Sequence, residues 1–225
     1  MAGREDLKDM AANLGCWADA IVARVFKHES LEVLASNTDV PVINALCDLY
    51  HPCQALADFQ AIMEAFGEVK GLHLAYLGDG NNVSNSLMIM AAKLGCNMTI
   101  VTPEGHEADS NLLTQVSTFA AQNGCAIQQI SDVSDLTSAD VLYTDTWISM
   151  GDETNLADIK EKFQPYQLNQ PLLDNTKAQY AMHCQPAHRE LEITSEVVDG
   201  NQSLILQQAE NRMHAQNAIL STLLA

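Results

Sequence analysis

Positive charge is scarce in this chain. Eleven lysines and arginines face 29 aspartates and glutamates, giving a formal net charge of −18 and a sequence pI of about 4.4. A field of that sign repels phosphodiester backbones and anionic lipids, so no nucleic acid and no membrane surface is expected as a partner. Long apolar runs are missing too, since no stretch approaches the ~20 residues of a membrane span. The opening MAGREDLKDM has neither the basic start nor the apolar run of a secretory signal, and its acids argue against a transit peptide, so a cytoplasmic location is expected. Six cysteines (Cys16, Cys47, Cys53, Cys96, Cys125, Cys184) stand singly, without CxxC or a compact His/Cys cluster. Neither a zinc site nor a disulfide framework is indicated, and most read as small core residues.

What is present is core-forming material: 47% of the 225 residues are hydrophobic, enough for one large or two small domains. Apolar spacing predicts helices over about 5–16, 29–36, 53–66, 82–94, 108–121, 155–163 and 203–222. Between them lie short apolar runs that read as strands at 20–25, 40–43, 73–77, 98–101, 126–130, 140–144 and 179–183. Strands alternating with helices imply an α/β fold of parallel, doubly wound sheets. The Gly67–Gly71 stretch is the expected boundary between a region at 1–68 and a second at 71–190, and residues 167–179 read as a polar connector. In a doubly wound sheet, ligands sit at the carboxyl ends of the strands. The second region would gather loops 78–82, 102–106, 145–151 and 183–188 there.

Those loops hold most of the chemistry-bearing residues. Leu77-Gly-Asp-Gly-Asn-Asn82 joins a strand to a helix, where Asn81 and Asn82 offer amide groups beside a positive helix end. A dinucleotide site would need a glycine at Val83, so a nicotinamide cofactor is discounted, while a plain asparagine cap accounts for one of the two side chains. Asp145-Thr-Trp-Ile-Ser-Met-Gly151 reads either as a seat for an α-amino and α-carboxylate pair or as an Asp-capped turn. In His183-Cys-Gln-Pro-Ala-His188, neighbouring His183 and Cys184 should face opposite sides of a strand, so one ion should not take both, and a thiol beside a ligand is the better reading. His51-Pro-Cys-Gln54 opens a helix, with His51 able to donate to or protonate an oxygen, or simply to cap. Arg24 and Arg212 are two of only four arginines, each suited to forked contact with phosphate or carboxylate, or to a salt bridge with one of the many acids.

Taken in order, His51-Pro-Cys-Gln54, Asp79-Gly-Asn-Asn82, Asp145-x-Trp-x-Ser-Met-Gly151, His183-Cys-x-Pro186 and Glu210-Asn-Arg-Met-His214 resemble the ornithine carbamoyltransferase family from about residue 3 to the C-terminus. The resemblance implies two α/β domains, typically in a homotrimer, that transfer a carbamoyl group from carbamoyl phosphate to the δ-amine of L-ornithine, giving citrulline and phosphate in arginine biosynthesis. It implies no metal and no organic cofactor. Arg24, His51, Gln54 and Arg212 match carbamoyl phosphate contacts, and the backbone carbonyl of Gln185 would receive the carbamoyl NH₂. Asn82, Asp145, Ser149 and Met150 match ornithine contacts, and Cys184 lies where the family places a thiol near the reacting nitrogen. His51, Cys184 and Arg24 are the catalytic candidates, stabilising developing charge by preorganised electrostatics.

Two departures stand out. The family's Ser-Thr-Arg-Thr-Arg phosphate motif is not in the sequence, so the resemblance implies that the first domain is incomplete, with helix 203–222 packing back on it. Gln185 stands where the family usually has leucine. Three readings follow: a partial chain of an ordinary enzyme with doubtful autonomous activity, a non-catalytic paralogue that binds an amino acid or a partner protein, or a carbamoyltransferase for another amine such as putrescine or acetylated ornithine. The Asp145 and Ser149-Met-Gly segment favours a free α-amino acid.

Overall fold

The computed structural model describes residues 5–147 and 156–225. Two parallel sheets organise them. The first pairs β1 (Ile21–Arg24) with β2 (Val42–Leu46), flanked by helices α1 (Leu7–Gly15) and α2 (His28–Ser36). Strand β2 begins two residues later than the apolar run predicts and continues through Asn44 and Ala45. Pro41 cannot donate to a ladder, but its carbonyl accepts the Ile21 N–H at 2.8 Å. Helix α3 (Pro52–Phe66) follows, with proline in its first turn, where a missing N–H costs nothing.

The second sheet has five parallel strands: β3 (His73–Leu77), β4 (Asn97–Val101), β5 (Ile127–Ile130), β6 (Val141–Thr144) and β7 (Tyr180–His183), in the order β5-β4-β3-β6-β7. Period-two alternation sends Leu74 and Tyr76 to one face, against Phe59, Leu87, Met88 and Ala91 of α3 and α4 (Asn82–Leu94). Ala75 and Leu77 go to the other face, against Tyr166, Leu168, Leu173 and Ile193. Burial on both faces explains why these strands read as continuous apolar runs. Helix α5 (Ser110–Asn123) packs beside α4, and α6 (Leu156–Phe163) brings Phe163 against Trp147.

The polar stretch 167–179 is not only a connector. It contains α7 (Gln170–Thr176), which Asn169 caps through the Leu172 N–H at 3.0 Å, and short α8 (Ser195–Asp199) was likewise missed by periodicity. The last helix, α9 (Ile205–Leu223), lies along α3. Among the described residues, no helix is long and apolar enough to cross a membrane. The α/β class with parallel, doubly wound sheets stands as the sequence predicts.

Candidate active site

The order of the five-stranded sheet reverses between β3 and β6, one running outward toward β4 and the other toward β7. The crevice at their carboxyl ends is therefore the expected ligand position of such a sheet. A cleft of about 230 Å³ opens there. Its one wall comes from the loops after β3 (Asn81, Asn82, Val83), β6 (Asp145, Thr146) and β7 (Cys184, Gln185, Pro186), and its other from Arg24, Leu46, Asp48 and His51 beside the two-stranded sheet.

The turn after β3 is shaped by glycine. Gly78 sits at φ +134, and a Cβ on Gly80 would lie 2.4 Å from the Ala108 backbone nitrogen, so only glycine lets the loop pack there. Asn81 then does two jobs. Its Oδ1 accepts the N–H groups of Val83 and Ser84, capping α4, while its Nδ2 donates to Asp145 Oδ2 at 3.0 Å. Asn82, the expected contact residue, also lines the cleft and donates from Nδ2 to the Cys47 carbonyl at 2.7 Å, tying the two sheets together. The paired asparagines are thus both accounted for, one as a cap and one as a bridge.

Asp145 is buried, and its Oδ1 accepts a 2.9 Å hydrogen bond from Cys184 Sγ. Burial, followed by the neighbouring Asp145 charge, pushes the Cys184 thiol well above its ordinary range, so it is a protonated donor at neutral pH. Beyond Cys184, the Gln185 N–H donates to His183 Nδ1 at 2.9 Å. That fixes the ring's proton on Nε2, which faces the buried carboxylate of Glu192 at 3.2 Å. The expected separation of His183 and Cys184 to opposite faces does not hold. The strand ends at His183, the chain turns, and the donor atoms of Asp145, His183 and Cys184 lie within 4.8 Å of one another. Both ring nitrogens are nevertheless engaged, so His183 has no lone pair to offer a cation in this arrangement.

On the opposite wall, His51 precedes α3 and donates its backbone N–H to Ser86 Oγ at 2.8 Å. Burial, then Arg212 and Arg24, hold its imidazole down at about 4. The ring is neutral at pH 7 and meets an oxygen as a hydrogen-bond donor. Its Nδ1 is buried without a partner among the described residues. Arg24 is exposed at the rim of the cleft. Gln54 and Arg212 lie outside the cleft lining: Arg212 Nη1 donates to Gln54 Oε1 at 2.5 Å, and Arg212 lines an adjacent groove with Val22, Ile43 and Cys53.

The structure thus gathers Arg24, His51, Asn82, Asp145, Cys184 and Gln185 around one space. Ser149 and Met150 lie outside the described residues. Sequence reasoning overlooked Asp48 and Thr146, each just past a strand's carboxyl end, and it left open which of Asn81 and Asn82 caps the helix.

A crevice with an acceptor-rich wall facing an arginine and an imidazole, on a parallel α/β frame, has the layout of a group-transfer enzyme acting on an amine and an anion. Comparison with known proteins gives this class its family. Residues 1–64 match the model "Aspartate/ornithine carbamoyltransferase, carbamoyl-P binding domain", and residues 70–223 match the corresponding Asp/Orn binding domain. The chain belongs to the aspartate/ornithine carbamoyltransferase family. It is 56% identical over 221 residues to the ornithine carbamoyltransferase of Moritella profunda, covering 98% of this chain and 73% of that one. The ornithine carbamoyltransferase structure from Pyrococcus furiosus superposes with a TM-score of 0.94 at 44% identity, over 98% of this chain and 71% of the other. An acetylornithine transcarbamylase complexed with acetylcitrulline is also similar, with a TM-score of 0.89 at 26% identity over 100% of this chain and 75% of the other.

Proposed function

We propose that this carbamoyltransferase homologue holds L-ornithine through Asn82, Asp145 and Cys184, with Ser149 and Met150 as further contacts expected from their motif, and part of a carbamoyl phosphate site through Arg24, His51 and the Gln185 carbonyl, with Gln54 and Arg212 beside the cleft. The observation that carries the reading is the Asn81–Asp145–Cys184 arrangement at the switch point, facing His51 and Arg24 across one cleft. Residues 1–68 would form the carbamoyl phosphate part and 71–190 the ornithine domain, in a cytoplasmic homotrimer.

The chemistry follows from the group types. The neutral δ-amine of ornithine attacks the carbamoyl carbon, the bond from that carbon to the phosphate oxygen breaks, and the nitrogen gives up a proton as phosphate leaves. Asp145, an acceptor already oriented by Asn81 and the Cys184 thiol, suits an ammonium group. A neutral His51 would donate to the carbamoyl oxygen as it gains negative charge, and the guanidinium groups would meet the phosphate. Holding both substrates together supplies much of the remaining acceleration. Each charged hydrogen bond that the Ser-Thr-Arg-Thr-Arg motif would have given is worth about 1.5–3 kcal/mol, so weak carbamoyl phosphate affinity and little citrulline formation by these 225 residues alone are expected.

The test has two parts. Calorimetry should detect ornithine or norvaline at millimolar concentration, and Asp145→Asn should abolish that binding; no heat with the native protein would refute the amino-acid site. A radiolabelled carbamoyl-transfer assay with ornithine, putrescine and acetylornithine as acceptors should favour ornithine. Preference for either other amine would overturn the assignment of the substrate while keeping the reaction.

A further inference from the structure

One residue that neither lines the cleft nor belongs to any motif singled out from the sequence links the loop after β7 to the Gln54–Arg212 pair beside the cleft. Asp58, on α3, is completely buried. Its Oδ1 accepts two hydrogen bonds, from Gln54 Nε2 at 2.7 Å and from Gln208 Nε2 at 2.9 Å, and its Oδ2 accepts the Tyr143 hydroxyl at 2.9 Å. These partners come from three elements: Gln54 from α3 itself, Gln208 from α9 and Tyr143 from β6.

The consequence lies in what an ionised carboxylate cannot do. It only accepts, so both glutamines must turn their NH₂ groups inward and their carbonyl oxygens outward. The outward oxygen of Gln54 receives Arg212 Nη1 at 2.5 Å, and that of Gln208 receives the His183 backbone N–H at 3.0 Å. A flip of either amide would set donor against donor at Arg212 or at His183. One buried acceptor therefore orders the guanidinium side and the start of the His183–Pro186 loop together.

We infer that Asp58 is a positioning residue that couples the cleft to the arginine beside it, fixing Arg212 through Gln54 and the His183–Pro186 loop through Gln208. The inference rests on the two-substrate reading above, and its structural half can be tested without any ligand. What positions the glutamines is the acceptor oxygen rather than the charge. In Asp58→Asn the amide oxygen takes over both glutamines while Nδ2 donates to Tyr143, whose hydroxyl turns to accept. In Asp58→Ala the NH₂ group of neither glutamine keeps its acceptor. Gln208→Met, close in size and without the amide, cuts the His183 arm alone.

The experiment combines amide hydrogen exchange with paired binding measurements on the full chain, using inorganic phosphate and norvaline as probes. In Asp58→Ala and Gln208→Met, protection of the His183 amide should fall at least tenfold while that of Tyr76 in β3 stays. Asp58→Asn should hold His183 protection within threefold of the native value. Phosphate should raise norvaline affinity in the native protein and in Asp58→Asn, with the enhancement lost in the other two variants. Unchanged His183 protection in a folded Asp58→Ala or Gln208→Met variant would overturn the inference, as would a native protein that binds both probes independently. Should Asp58→Ala fail to fold, Gln208→Met carries the test alone. Should the native protein bind neither probe, the two-substrate reading fails, and His183 protection still decides whether Asp58 orders the loop.

Discussion

The two sheets of this molecule are built from similar strands but stand in different surroundings. In the five-stranded sheet, β6 is buried along its whole length, and β3, β4 and β7 are buried after their first residue. In the two-stranded sheet, β1 alternates burial with exposure and β2 is only partly buried: Val22 is 59% exposed, and nearby Phe26 is 55% and Trp17 77% exposed. An apolar groove lined by Val22, Ile43, Cys53 and Ile219 runs beside it. The larger sheet buries its own apolar faces, whereas the smaller one leaves apolar surface and strand edges uncovered among the described residues. The acceptor wall therefore rests on a self-sufficient frame, and the opposite wall on one that is not.

Truncating the two sheets should break this comparison or confirm it. Leu74→Ala in β3 empties a fully packed position and should cost about 3 kcal/mol of unfolding free energy. Val22→Ala in β1 should stay within about 0.5 kcal/mol in the same urea titration. Equal losses would mean that β1 is covered in solution. Hydrogen exchange should show the same contrast, with amides of Tyr76, Ile100 and Leu142 protected at least about 100-fold more than those of β1 and β2.

Acid titration probes the seam between the regions. His51, held down at about 4 against an ordinary 6.5, binds fewer protons folded than unfolded between those values, so its contribution to stability is lost as the pH falls through that window. Asp58, raised by burial to about 6 from 3.8, binds more protons when folded, so its contribution is present below 3.8 and lost as the pH rises through 6. The two slopes oppose each other between pH 4 and 6. His51→Gln should expose the Asp58 slope. The difference in unfolding free energy between native and variant should grow with pH across the His51 window by at most about 1.4 kcal/mol per unit. A pH-independent difference would show that His51 titrates normally. Asn81→Ala should cost about 1 kcal/mol from the lost cap of α4 and weaken norvaline binding as Asp145 loses a donor.

The sequence was most informative where local pattern and tertiary burial agree. Strand His73–Leu77 and helix Asn82–Leu94 fall where the apolar run and the spacing put them, because buried parallel strands and capped amphipathic helices announce themselves locally. Helix α7 did not, since Asn169 and Pro171 resemble loop composition until the cap is seen to close on Leu172. Among the site residues, Asp145, Cys184, His51 and Asn82 were legible because they sit at strand or helix ends within distinct motifs. Asp58 and Glu192 were not, for each gains its meaning from partners far along the chain: Gln208 lies 150 positions from Asp58, and His183 reaches Glu192 only through the turn after β7. The neutral state of His51 was equally hidden, being set by burial and by two arginines that the fold brings near.

Arg24, at the rim of the cleft, belongs to a body whose formal charge is −18. An anion diffusing in from solution meets repulsion first, and attraction only within a Debye length, about 8 Å at physiological ionic strength. Added salt then acts with opposite sign on the two stages of encounter. It lowers the long-range barrier and quickens arrival, while it weakens the final grip and hastens departure. For most proteins that bind anions through arginine, salt slows capture; here the on-rate and the off-rate should rise together.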